Sequence, residues 1–238
     1  MNGGLSVDGL TKRYGSKVAV DGLSFGVGPG EILALAGPNG AGKTTTLLCL
    51  AGLLRPDAGV FCWQGRPLGP ERTRAMALIP ETPDVYEMLT VWEHLVFVAK
   101  SCRLAQGWQD EARALLERFA IADQRDSLGE ALSKGMRQKL LIAAAVLAST
   151  PVLLLDEPMI GLDPRGQREL KAILYELRAQ GRALVVSTHL LGYIEGLCDR
   201  VLILKQGQAI ALDSVDGLLA SSHGKSLEDR FLEIVESH

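Results

Sequence analysis

One segment, Gly37-Pro-Asn-Gly-Ala-Gly-Lys43-Thr44, constrains this chain more than any other. It matches the pattern G-x-x-x-x-G-K-[ST] at every position, follows the short apolar run Glu31 to Ala36, and opens a helix-forming run predicted over Lys43 to Leu54. Strand, glycine-rich turn, helix is the order that a phosphate site requires. Glycines let consecutive backbone N–H groups turn inward around phosphate oxygens, and the positive end of the helix dipole points at the same anion. Lys43 then supplies a point charge for the β- and γ-phosphates of a nucleotide, and Thr44 a hydroxyl for Mg²⁺.

A second element carries acids. Val152 to Leu155 reads as an apolar strand ending in Asp156 and Glu157, at the end where parallel-sheet sites open toward solvent. Asp156 would hold Mg²⁺ through its water shell, and Glu157 would orient or deprotonate an attacking water. Two more short apolar strands, Ala183 to Ser187 and Val201 to Leu204, alternate with a helix whose apolar face is Leu170, Ile173, Leu174 and Leu177. Pro164 and Gly181 are its start and stop signals. Strands alternating with helices imply a largely parallel, buried sheet.

The chain opens differently. Leu5 to Tyr14 and Val18 to Val27 alternate loosely around Gly15 and Ser16, which predicts an antiparallel hairpin. Between about Asp84 and Thr150 the pattern turns helical: Ala112, Leu115, Leu116 and Phe119 fall at i, i+3, i+4 and i+7, and a further helix is expected over Lys134 to Ala148. The expected fold is therefore α/β: a P-loop NTPase core with a largely parallel sheet, an N-terminal antiparallel β subdomain and an α-helical insert. Residues 1–238 read as one domain, with 1–83 and 151–238 as the core and 84–150 as the insert.

Charge and composition narrow the partners. A net charge of -3 gives no basic footprint of the kind that nucleic acid requires, so none is expected. A hydrophobic share of 47% against 22% charged predicts a packed core rather than disorder. Cys49, Cys62, Cys102 and Cys198 form no C-x-x-C pair and read as reduced, mostly buried thiols. Met1 to Leu10 has no basic segment followed by an apolar one, so no signal peptide is expected. The longest apolar stretch, Leu140 to Leu155, is broken by Ser149, Thr150 and Pro151 and falls short of the ~20 residues a membrane helix needs. Any membrane connection then comes through a partner.

Taken in order along the chain, these motifs resemble the nucleotide-binding subunits of ATP-binding cassette (ABC) transporters, and the resemblance covers nearly all of it. It implies that Gly37, Pro38, Asn39, Gly40, Ala41, Gly42, Lys43, Thr44 and Thr45 hold ATP with Mg²⁺. Tyr14 resembles the aromatic on which the family stacks adenine. Leu132-Ser-Lys-Gly-Met136 resembles the family signature, usually L-S-G-G-Q, at the start of a helix. There Ser133 and the Gly135 N–H are implied to cap the γ-phosphate held by a second subunit, arranged head to tail. Ile160-Gly-Leu-Asp163 resembles the D-loop, which places Asp163 at that interface, and His189 resembles the switch histidine beside the γ-phosphate. The implied partners are a second ATP-binding subunit and an integral-membrane permease, at the cytoplasmic face of the membrane.

Two departures stand out. Glu81 replaces the family's glutamine, which adds charge near the γ-phosphate and a further carboxylate for Mg²⁺ or water; Lys134 and Met136 replace glycine and glutamine in the signature. Such substitutions, and the ending Ser226 to Leu232, are similar to exporter-type members. Glu81, between Pro80 and Pro83, is expected at a hinge. Leu89, Val91, Trp92 and Leu95 after it are expected to form the face that docks the permease. A nucleotide-gated interaction protein with little hydrolysis is the rival reading, and the presence of Glu157 favours the enzyme. DNA-repair and translation relatives carry a long coiled-coil insert or two cassettes, for which this chain has neither the length nor a second P-loop.

Overall fold

The computed structural model describes residues 3–69, 74–193, 195–220 and 226–237. Strands β1 (Leu5–Tyr14) and β2 (Lys17–Val27) form the expected hairpin, with Tyr14 opposite Lys17. β3 (Ile32–Ala36) leads into helix α1 (Lys43–Ala51). The helix stops three residues short of the predicted Leu54, because Gly52 turns left-handed at φ 76° and its N–H caps the last carbonyls. Beyond it β4 (Ala58–Trp63) and β5 (Arg66–Pro67) return to the hairpin, giving an antiparallel sheet in the order β2-β1-β4-β5. Neither strand was legible in the sequence, since Ala58, Gly59 and Val60 show no inward and outward alternation.

The remaining strands build the second sheet. β6 (Met76–Ile79) precedes the helical segment of α2 (Val91–Ser101), α3 (Trp108–Arg118) and α4 (Lys134–Leu147). Then follow β7 (Val152–Asp156), α5 (Pro164–Ala179), β8 (Ala183–Thr188), β9 (Arg200–Lys205), β10 (Gln208–Ser214), α6 (Val215–Ala220) and α7 (Leu227–Ser237). Their order is β10-β9-β3-β8-β7-β6, parallel throughout except for the β10 edge. β3, β7 and β8 are buried along their full length, as parallel strands covered on both faces must be.

The pleat divides the core in two. Leu33, Leu35, Leu154, Val185 and Leu202 face the hairpin sheet and α1, while Ile32, Ala34, Leu155, Val186 and Ile203 face the helices. The helical segment shares that second core: Ala112, Leu115, Leu116 and Phe119 are all buried in it, with Leu170, Ile173, Leu174 and Leu177 from α5.

Of the four residues expected on the docking face, Val91 and Leu95 are core, while Leu89 and Trp92 are half-buried. Val91 and Leu95 are fully buried against the core, and Trp92 stacks on Trp108 at 5.6 Å under the Arg125 guanidinium. Period alone does not say which side of an amphipathic helix is covered, and here Val91 and Leu95 face inward. The exposed apolar side chains of this region are Tyr86, Met88 and Phe97, with Tyr86 edge-on to Phe97. The cysteines are also less buried than expected, since Cys102 is exposed and Cys62 half-buried; all four are free thiols.

Phe119 joins α3 to the sheet core at 1% exposure, so its truncation leaves a cavity that the close-packed interior fills only in part. Phe119→Ala is expected to cost about 3–5 kcal/mol in urea unfolding of the nucleotide-free protein. A loss within 1 kcal/mol would mean that the helical segment is not packed into this core.

Candidate functional site

β3, β8 and β7 lie side by side and end at the same sheet edge, with Ala36 opposite Thr188 and Asp156 opposite Ser187. From the end of β3 the glycine-rich loop turns into α1. Two of its glycines are required by space: a Cβ on Gly37 would lie 2.4 Å from the Leu204 carbonyl oxygen, and one on Gly42 2.5 Å from that of Ala19. Gly42 also has φ 104°, where L side chains are strained. The Ala41 carbonyl accepts the Gly207 N–H at 3.0 Å, which pins the loop to the β9–β10 turn.

Lys43 folds back over this loop. Its Nζ donates to the Gly37 carbonyl at 2.7 Å and the Pro38 carbonyl at 3.3 Å, and stands 3.7 Å from Glu157 Oε1. Burial pushes the Lys43 ammonium below its usual pKa, while the carboxylates of Glu157, Asp156 and Glu81 pull it back up. A largely desolvated cation beside carboxylates is poised to exchange them for a stronger anion.

The two acids are set by one hydroxyl. Ser187 Oγ donates to Asp156 Oδ1 and accepts the Glu157 backbone N–H at 3.0 Å. Glu157 itself is left-handed at φ 46°, an uncommon state for a residue with a side chain, and this turns its carboxylate away from the strand direction. Glu157 Oε1 meets His189 Nδ1 at 2.7 Å. Sequence reasoning missed Ser187, although a polar residue ending an apolar strand of a parallel sheet was its available signal.

These groups surround a cleft of about 520 Å³, lined by Tyr14, Asn39, Gly40, Ala41, Gly42, Lys43, Thr44, Thr45, Glu81, Glu157 and His189. Lys17 and Ala19 of the hairpin line it too and were not anticipated. Gly37 and Pro38 act from behind through Lys43, and Asp156 lies buried beneath at 3% exposure. Ser133, Gly135 and Asp163 do not line this cleft. Ser133 caps α4 by accepting the Met136 N–H at 3.3 Å, and Gly135 leaves room for the Gly161 carbonyl, 2.9 Å from where a Cβ would stand. Asp163 caps α5, accepting the Gly166 N–H at 2.8 Å, and pairs with Lys139. The Gly166 hydrogen bond, aided by Lys139, holds the Asp163 carboxyl below its usual pKa.

The donor set fits a nucleotide phosphate chain with its metal. Glycine space, a desolvated lysine and a helix N-terminus converge on one anion-sized place. Among the described residues no cluster of three or more His, Cys, Asp or Glu side chains forms a metal cage. Thr44 and Glu81 line the cleft and Asp156 lies beneath it, oxygen groups of the kind Mg²⁺ takes together with substrate phosphates and water.

A family model described as "ABC transporter" matches residues 20–160. The "Nod factor export ATP-binding protein I" of Burkholderia orbicola (strain AU 1054) is 38% identical over 220 residues, covering 90% of this chain and 72% of that protein. A "Fluoroquinolones export ATP-binding protein" of Mycobacterium tuberculosis (strain CDC 1551 / Oshkosh) is 39% identical over 215 residues, covering 88% of this chain and 70% of its own length. Among solved structures, one titled "Structure of ATP binding subunit of ABC transporter" superposes with a TM-score of 0.91 at 36% identity, covering 97% of this chain and 98% of that one.

The two loop glycines that differ in their surroundings give a paired test. Gly42→Ala drives a methyl into the Ala19 carbonyl and is expected to cost more than about 2 kcal/mol and to abolish nucleotide binding. At Gly40, φ is 80° and no atom lies within 4 Å of the added Cβ, so Gly40→Ala carries only the left-handed strain of about 1–2 kcal/mol. Equal losses for both variants in denaturant titration would show that close approach is not what demands glycine at 42.

Proposed function

This chain belongs to the ABC transporter family as an ATP-binding, ATP-hydrolysing subunit, and from that premise we propose which residues do the work and with which partners. The observation that carries the proposal is the meeting of Lys43, at the start of α1, and His189, after β8, on the Glu157 carboxylate, after β7, within ion-pair or hydrogen-bond reach. Tyr14 stacks on adenine, the N–H groups from Asn39 to Thr45 wrap the phosphates, and Lys43 binds their terminal oxygens. Mg²⁺, when bound, neutralises charge building on the β- and γ-phosphate oxygens, and Thr44, Asp156 and Glu81 are the residues that would hold it. Glu157 takes the proton of the attacking water on its carboxylate, and His189 holds that carboxylate in orientation through Nδ1.

Within one chain, Ser133 and Gly135 do not line the cleft, and the Ser133 hydroxyl has no acceptor among the described residues. A second ATP-binding subunit, arranged head to tail, brings its own Ser133, Gly135 and Asp163 to this site. No helix among the described residues is long and apolar enough to cross a membrane. Attachment then runs through an integral-membrane permease, at its cytoplasmic face. The names of the relatives favour export as the direction.

The permease contact moves from the buried α2 face to Tyr86, Met88 and Phe97. These follow Glu81 closely in the chain, which links them to the cleft. Met88→Glu, at a side chain 76% exposed, is expected to reduce co-purification with the permease while leaving the ATPase rate of the isolated subunit within twofold. Undiminished co-purification would place the docking surface elsewhere.

Glu157→Gln is expected to lower Mg²⁺-dependent hydrolysis ~10²–10⁴-fold while leaving ATP binding intact. The same variant in saturating Mg²⁺ and ATP should sediment as a dimer. Hydrolysis at the parent rate would remove Glu157 from the mechanism, and a monomer under those conditions would count against a head-to-tail homodimer.

A further inference from the structure

His189 lies beyond the hydrogen-bonded ladder of β8, which ends at Thr188, and its side chain is 33% exposed. The bond to Glu157 orients its ring but does not fix the backbone that carries it. Two features do. Thr188 Oγ1 accepts the Leu190 N–H at 3.0 Å, closing a tight turn around His189. Leu191 then plunges into the helix-side core at 1% exposure, opening the short helical turn Leu191–Tyr193.

What covers that turn is the C-terminal helix. α7 packs against it and sends Leu227, Phe231 and Ile234, one face at i, i+4 and i+7, into the same core as Leu191 and Leu197. The helix is fixed at both ends. Ser226 and Asp229 exchange hydrogen bonds at its start, and Lys205 Nζ donates to the Val235 carbonyl at 2.6 Å near its finish. Lys205 ends β9, and the carbonyl of its neighbour Leu204 is the one that crowds Gly37. One helix is thus tied to the strand beside the phosphate loop and to the turn that carries His189.

We propose that α7 is a positioning brace for His189, with Phe231 as its central residue. The proposal rests on the reading of His189 as the residue that orients Glu157. Loss of the Phe231 ring opens a cavity in the core that Leu191 shares and lets His189 drift from the carboxylate, while the Gly207 N–H bond to the Ala41 carbonyl still holds the phosphate loop. The effect therefore falls on turnover and not on nucleotide affinity.

The full chain is assayed with Mg²⁺ and ATP, and the imidazole resonances of His189 are followed by ¹H–¹⁵N NMR in the nucleotide-free protein. Phe231→Ala is expected to lower kcat about tenfold with KM for ATP within twofold, and to broaden or shift the His189 signals; Phe231→Leu, which refills most of the volume, restores both. If Phe231→Ala does not fold, Leu227→Ala serves in the same two measurements. Unchanged His189 resonances in the variant, or a fall in ATP affinity that matches the fall in rate, would overturn the brace. His189→Ala hydrolysing ATP at the parent rate would instead overturn the role given to His189, while the NMR comparison still decides whether α7 holds it in place.

Discussion

The chemistry of this chain hangs on the register of three buried parallel strands. Because Ala36 pairs with Thr188 and Asp156 with Ser187, the glycine-rich loop, His189 and the two acids leave the sheet at one edge and at one height. A slip of one residue would turn every side chain to the opposite face, taking Asp156 from Ser187 and driving the side chains fitted to one core into the other. Burial on both faces makes such a slip costly, so the hydrophobic layers that stabilise the sheet also hold the catalytic geometry. Strand pairing in the core and distances in the cleft are one constraint.

The cleft sets burial against charge at one lysine. Burial pushes the Lys43 ammonium below its usual pKa, and the carboxylates of Glu157, Asp156 and Glu81 offset part of that. Truncating one member of such a group leaves the other uncompensated, which is usually more damaging than the pair is stabilising. Glu81, where the resemblance implies a glutamine, lines the same cleft and is one of the carboxylates that raise the Lys43 pKa against burial. Ser187 carries a comparable double duty, since one hydroxyl serves both Asp156 and the Glu157 backbone.

Two sides of the helical segment are used differently. Its inward face is continuous with the sheet core, through Leu95, Leu116 and Phe119, so movement of the segment must drag or slide against β6 and β7. Its outward side carries Tyr86, Met88 and Phe97, close in sequence to Glu81. Tyr86 and Met88 lie five and seven residues after Glu81 in the chain, whereas the turn that carries His189 packs against α7.

By itself the sequence determined the phosphate loop, the N-terminal hairpin, the strand ending in Asp156 and Glu157 and its neighbours β3, β8 and β9, and the membership of Leu170, Ile173, Leu174 and Leu177 in one buried face. These are local matters, decided by glycine spacing, by runs of apolar residues and by period. It failed where a choice depends on what lies across the chain in space. Val91 and Leu95 have the spacing of any amphipathic face, and only the presence of α3 and α4 beneath them decided that they are core and not a docking surface. β4 carries no alternation and exists because β1 offers it an unpaired edge. Ser187 became a ligand of two acids through its neighbour in the sheet, 31 positions from Asp156 in the chain, and no window along the sequence contains both. Periodicity reports which residues share a side; tertiary packing alone decides what that side meets.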